Sequence, residues 1–97
     1  MSSLKGKNAI ITGASRGIGK AIALTLAKQG INIALAARSQ GPLEETAKEI
    51  KTKTGVQVLP IACDVANLSD LENLVNKTLD KFKKIDILVN NAGVSSQ

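Results

Sequence analysis

Four short runs of apolar, largely β-branched residues punctuate the chain: NAIIT (8–12), INIALAA (31–37), VQVLPIAC (56–63) and IDILVNN (85–91). Each is near-continuous rather than alternating, as expected of strands covered on both faces. Between them the apolar positions recur at helical spacing. Leu68, Leu71, Leu74, Val75, Leu79 and Phe82 form one stripe. The start of that helix has two readings, with Asn67 and Asp70 or Ser69 and Glu72 as the capping pair. An earlier helix opens at GPLEE, with Pro42 suited to the first turn and Glu44 and Glu45 at the positive end. Leu43, Ala47 and Ile50 give it one apolar face. The first helix is expected from about Gly17 to Gln29, with Gly30 as its stop.

The order is therefore βαβαβαβ, an α/β chain whose strands form a parallel sheet with helices on both faces and right-handed crossovers. Pro60 lacks a ladder donor and places the third strand at an edge. The doubly wound order 3-2-1-4 does the same. No linker or repeat divides residues 1–97, which read as one unit.

Composition narrows the chemistry. Of the 97 residues, 43% are apolar and 22% charged, a globular balance. Phe82 is the one aromatic residue, so the core is built from Ile, Leu, Val and Ala. With no His and a lone Cys63, neither an imidazole base nor a thiolate metal cluster nor an internal disulfide is available, and no metal site is expected. The net charge of +5 comes largely from lysines at helix ends: Lys51 and Lys53 close one helix, and Lys77, Lys81, Lys83 and Lys84 line the end of another. Dispersed lysines without aromatic platforms argue against nucleic acid. No apolar run approaches the roughly 20 residues of a membrane span, and the first residues lack the features of a signal peptide. The expected location is cytoplasmic.

The stretch TGASRGIG, Thr12 to Gly19, holds three of the eight glycines where the first strand should turn into the first helix. Gly13 permits a sharp turn, Gly17 lets the chain approach an anion, and Gly19 allows tight packing of helix on strand. The unpaired amides of the helix N-terminus would then receive a phosphate. These roles mirror dinucleotide-binding folds, though G-x-x-x-G-x-G is not the common G-x-G-x-x-G. A P-loop is excluded: the sixth position from Gly13 is Ile18, and Gly19-Lys20 is followed by Ala21 rather than a hydroxyl residue. At the end of the second strand a carboxylate would bind the ribose hydroxyls of NAD. This chain has AARSQ instead, with Arg38 and Ser39 in that neighbourhood. Arg38, and Arg16 in the glycine loop, are its only arginines, and both suit the 2′-phosphate of NADP(H).

TGASRGIG at the first turn, CDV after the third strand and LVNNAG after the fourth together resemble the short-chain dehydrogenase/reductase family across the whole chain. Within it the chain is most similar to the 3-oxoacyl-[acyl-carrier-protein] reductases. The resemblance implies the Rossmann-like cofactor-binding half of an NADPH-dependent oxidoreductase acting on a carbonyl/alcohol pair, and a homo-oligomer. It implies that Ser15 and Ile18 join Gly13, Arg16, Gly17 and Gly19 at the cofactor. It further implies that Asp64 binds the adenine amino group and Val65 lines the adenine pocket through its backbone. Asn90, Asn91, Ala92 and Gly93 would edge the ribose and nicotinamide side. Taken alone, Asp64 reads equally as a turn residue that starts a helix, and Asn90 as a structural link between strands.

The family's catalytic serine and Tyr-x-x-x-Lys pair have no counterpart among these residues: the chain has no tyrosine, and Ser95 and Ser96 come too early. No catalytic residue is therefore assigned. The expectation is a truncated or proteolysed reductase; the alternative is a free-standing nucleotide-binding or interaction module that does not catalyse.

Overall fold

The structure, a computed structural model, describes residues 4–91. In chain order these form β1 (Asn8–Thr12), α1 (Gly17–Lys28), β2 (Asn32–Ala37), α2 (Gln40–Thr54), β3 (Val58–Ala62), α3 (Leu68–Phe82) and β4 (Ile87–Val89). The strands are parallel and lie in the order β3-β2-β1-β4, as the sequence predicts. Pro60 sits on the edge strand β3, where a missing ladder donor is tolerated.

The apolar runs are near-continuous because both faces of the sheet are covered. Ala9 and Ile11 of β1 and Ile33 and Leu35 of β2 join Ala23 and Ala27 of α1 and Leu43, Ala47 and Ile50 of α2 in one buried cluster. The alternate residues Ile10, Ala34 and Ala36 join Leu74 and Phe82 of α3 in a second. Strand β2 thus presents its large side chains to α1 and α2 and its alanines to the α3 side.

Four local details refine these expectations. Helix α2 begins at Gln40, one residue before the expected opening at GPLEE, and its first turn holds no acidic residue, so Glu44 and Glu45 lie beyond it. Pro42 is still within that turn, where backbone N–H groups have no intrahelical acceptor, and the helix extends back past it. In α3, Asn67 is the cap: its side-chain oxygen accepts from the Asp70 N–H at 3.0 Å. The buried stripe of α3 is Leu74, Thr78 and Phe82, with Leu71 half-buried. Leu68, Val75 and Leu79 lie on the flank of that stripe and are exposed, Leu68 most of all at 70%. Thr78 holds its core position by turning its hydroxyl onto the Leu74 carbonyl at 2.7 Å. Finally, α3 is capped at its C-terminus not by a glycine but by Lys83, in the left-handed region at φ 72°.

Asparagines stitch the start of the sheet. Asn8 donates its side-chain amide to the Lys84 carbonyl at 3.0 Å and accepts from Asn32 at 3.0 Å, while Asn32 accepts from the Gln57 N–H at 3.1 Å. The Asn8 N–H donates to the Asp86 carboxylate at 2.9 Å. That bond, with Lys84 beside it at 3.3 Å, holds the Asp86 carboxyl below the ordinary carboxylate range.

Helices α1 and α2 are joined at the surface by Glu49, which bridges Lys20 at 2.7 Å and Lys53 at 2.9 Å. Its hydrogen bonds to Lys20 and then to Lys53 lower its pKa from 4.5 to about 2. A depressed folded-state pKa stabilises above the unfolded value and is lost as pH falls through the folded one. The triad is partly exposed, so its contribution is small. Glu49→Gln should melt slightly below the unsubstituted chain at neutral pH, and the gap should close between pH 4.5 and about 2. Thermal unfolding followed by circular dichroism across that range measures it; a gap unchanged at the acid end would contradict the assignment.

Candidate functional site

Parallel strands deliver their C-terminal ends to one edge of the sheet. The register sets Ile11 beside Val89, Thr12 beside Ala36, and Ala37 beside Ala62. Four short segments therefore emerge along that edge: 13–19 after β1, Arg38 and Ser39 after β2, Asp64 and Val65 after β3, and Asn90 and Asn91 after β4. The remaining two expected site residues, Ala92 and Gly93, lie outside the described residues.

The glycine loop is pinned from three sides. Its Ala14 N–H donates to the Ala36 carbonyl at 3.2 Å. The Gly13 carbonyl accepts from the Asn91 side-chain amide at 3.2 Å, and the Ser15 carbonyl from the Thr46 hydroxyl at 2.7 Å. Gly13 and Gly17 take φ of 61° and 63°, the left-handed region that side chains disfavour. Gly19 is required for a different reason. A Cβ there would fall 2.1 Å from the Gly13 carbonyl oxygen and 2.8 Å from the Asn91 amide nitrogen. At Gly17 a Cβ would meet nothing within 4 Å, so that position opens to solvent.

The result is a loop with its carbonyls turned into the protein. Among the described residues the backbone amides of 15–19 donate to no acceptor, and the Arg16 N-cap makes no side-chain capping bond. Unpaired amides at a helix N-terminus, with the positive end of the helix dipole, favour an anion. Arg16, Arg38 and Ser39 are exposed, and among the described residues neither arginine is engaged in an ion pair or a side-chain hydrogen bond. Ile18 adds an exposed apolar side chain at the loop's mouth, 68% accessible.

At the other strand ends each side chain has local work. The Asp64 carboxylate accepts from the Ala66 N–H at 3.0 Å, the turn role open to it in the sequence, and the residue stays exposed. Val65 packs against the second cluster. Next to them Cys63 is buried, and burial, with Asp70 and Asp64 nearby, pushes its thiol pKa up, so it is neutral. Asn90 accepts from the Thr12 hydroxyl at 3.0 Å, a link between β1 and the end of β4. The described residues include no group of three or more His, Cys, Asp or Glu side chains able to hold a metal. No helix among them is long and apolar enough to cross a membrane.

Thr46 was not singled out among the sequence candidates. Its signal is a hydroxyl at an apolar-face position: 43, 46, 47 and 50 follow the i, i+3, i+4, i+7 template, and three of the four are apolar.

The family model for short chain dehydrogenases matches residues 7–97. An NADP-dependent 3-hydroxy acid dehydrogenase from Schizosaccharomyces pombe is 44% identical over 96 residues, which are 98% of this chain and 37% of that protein. A 3-oxoacyl-[acyl-carrier-protein] reductase from Synechocystis is 42% identical over 96 residues, 98% of this chain and 38% of that protein. Among solved structures, L-sorbose reductase from Gluconobacter frateurii, complexed with NADPH and L-sorbose, superposes with a TM-score of 0.93 at 46% identity, covering 98% of this chain and 36% of that one. The chain thus spans well under half the length of the relatives it matches.

The close approach at Gly19 gives a direct test of the loop's construction. Gly19→Ala forces a methyl group against the rigid Gly13 carbonyl, an overpacking that costs on the order of 1–3 kcal/mol. Urea unfolding should show that loss, whereas Gly41→Ala, where nothing lies within 4 Å of an added Cβ, should be neutral or stabilising.

Proposed function

The chain belongs to the short-chain dehydrogenase family, and on that premise we propose that it is the NADP(H)-binding part of an NADPH-dependent oxidoreductase that reduces a carbonyl to an alcohol. The observation that carries the proposal is the loop whose amides at 15–19 donate to no acceptor among the described residues, with two arginines at the same sheet edge that make no ion pair there. The residues fit the cofactor. The diphosphate lies over the amides of Ser15, Arg16, Gly17, Ile18 and Gly19, with Gly13 making the turn. Arg16, Arg38 and Ser39 hold the 2′-phosphate, and no carboxylate stands at the end of β2 to repel it. Asp64 and Val65 border the adenine. Asn90 and Asn91, with Ala92 and Gly93, edge the ribose and nicotinamide. The bound dinucleotide supplies the hydride; these residues bind and orient it.

The relatives support the chemistry more than any one substrate. One is named for 3-hydroxy acids, one for 3-oxoacyl-carrier-protein and one for L-sorbose. The names share a carbonyl/alcohol pair, and two of the three name NADP or NADPH. A 3-oxoacyl thioester is the specific substrate we infer, in a cytoplasmic homo-oligomer.

Titration of the chain with NADPH and NADH, read by nicotinamide fluorescence, tests the cofactor assignment. Charge-assisted bonds to the 2′-phosphate contribute roughly 1.5–3 kcal/mol, so NADPH should bind about 10- to 150-fold more tightly. Arg38→Asp should abolish most of that preference and leave NADH binding nearly unchanged. Equal affinity for the two cofactors in the unsubstituted chain would overturn the assignment.

A further inference from the structure

We propose that Thr46, far from the glycine loop in sequence, is a positioning residue for that loop: its hydroxyl fixes the peptide plane between Ser15 and Arg16 and thereby aims the Arg16 N–H at the cofactor diphosphate. The inference rests on the cofactor reading above and adds a residue outside the strand-end segments. Its basis is the bond from the Thr46 hydroxyl to the Ser15 carbonyl, 2.7 Å across 31 residues of sequence.

Helical threonines in this chain have another option. Thr54 and Thr78 turn their hydroxyls onto the carbonyl four residues back in their own helices, each at 2.7 Å. Thr46 does not; it reaches out of α2 to the loop. It is 4% exposed, on the face that carries Leu43, Ala47 and Ile50. The bond to the half-buried Ser15 carbonyl is part-buried, so losing the Thr46 donor removes a partner inside the fold and costs stability.

The geometric consequence follows from the planar trans peptide, in which C=O and N–H point in opposite directions. With the Ser15 carbonyl held against α2, the Arg16 N–H is directed away from α2. It is one of the amides at 15–19 that donate to nothing among the described residues. Asn91 grips the Gly13 carbonyl in the same manner at 3.2 Å. The two clamps act on alternate peptides, and the Thr46 clamp is the one adjacent to the N-cap of α1. Helix α2 also starts at the candidate 2′-phosphate residues, since Ser39 is its N-cap and Arg38 precedes it. Seven residues, or about two helical turns, separate Ser39 from Thr46. One rigid helix thus links the two ends of the phosphate-binding surface.

The test compares Thr46→Val, which keeps shape and removes the donor, with Thr46→Ser, which keeps the donor. Ile50→Val, on the same buried face but away from the loop, controls for lost packing. Affinities of the chain for NADPH and NADH are measured by fluorescence titration, with thermal stability recorded for every variant. Thr46→Val should weaken both cofactors by the same factor, roughly three- to tenfold as for one lost hydrogen bond, because the diphosphate is common to both. Thr46→Ser should restore affinity to within about twofold. Ile50→Val should lower the melting temperature without changing affinity. Hydrogen exchange at the Arg16 amide in the cofactor-free chain should change in Thr46→Val and not in Thr46→Ser. If the unsubstituted chain binds NADPH and Thr46→Val binds it equally well, the positioning role is overturned and the cofactor assignment stands. If the unsubstituted chain binds neither cofactor, the cofactor assignment fails and takes the positioning role with it.

Discussion

The backbone of α1 touches the backbone of the β1 turn, and no side chain fits between them. With a Cβ at residue 19 only 2.1 Å from the Gly13 oxygen, the helix lies as close to the strand end as a polypeptide allows. That approach fixes where α1 starts relative to β1, and so where its free amides sit relative to the ends of β2, β3 and β4. It also forces the chain between them into left-handed turns at Gly13 and Gly17. Asn91 and Thr46 then hold the Gly13 and Ser15 carbonyls in place. A site that recognises an anion with backbone depends on such contacts, because the groups doing the recognising have no side-chain rotamers with which to adjust.

The division of labour between the two faces of the sheet is consistent with this. The α1 and α2 face carries Ile33, Leu35, Leu43 and Ile50, the bulk of the large buried side chains, together with the loop clamp and the Lys20–Glu49–Lys53 bridge. The α3 face is lighter, with Ile10, Ile61, Leu74 and the single aromatic Phe82 packed around the alanines Ala34 and Ala36. The glycine loop, with Ala14 in the larger cluster, thus stands on the more heavily packed half of the domain.

Much of this could be read from the residues alone. Strand order followed from parallel crossovers and from the position of Pro60, and the turn at Gly13 and the close packing at Gly19 from where the glycines fall between strand and helix. What escaped was set by tertiary geometry. Leu68 belongs to the periodic stripe by spacing, yet the first turn of α3 does not bury it. Glu44 and Glu45 look like first-turn acids, but α2 opens at Gln40 and leaves them beyond that turn. Lys83 takes a left-handed cap that its side chain does not advertise. Thr46 was passed over because a hydroxyl among apolar residues carries no local sign of its distant acceptor. Asp64 kept both its readings: it does hold a turn, and it also stands at the strand end with its side chain exposed.

The asparagine stitching at the start of the sheet bears on how the chain assembles. Asn8 meets Asn32 across 24 residues and Asp86 across 78. Bringing the more distant pair together costs about 1 kcal/mol more in loop-closure entropy than the nearer pair. The β1–α1–β2 unit, which contains the glycine loop, is therefore closed at the smaller entropic cost, and β4 joins β1 across the longer loop. Setting Asn90 and Asn91 beside the glycine loop carries the larger of the two closure costs.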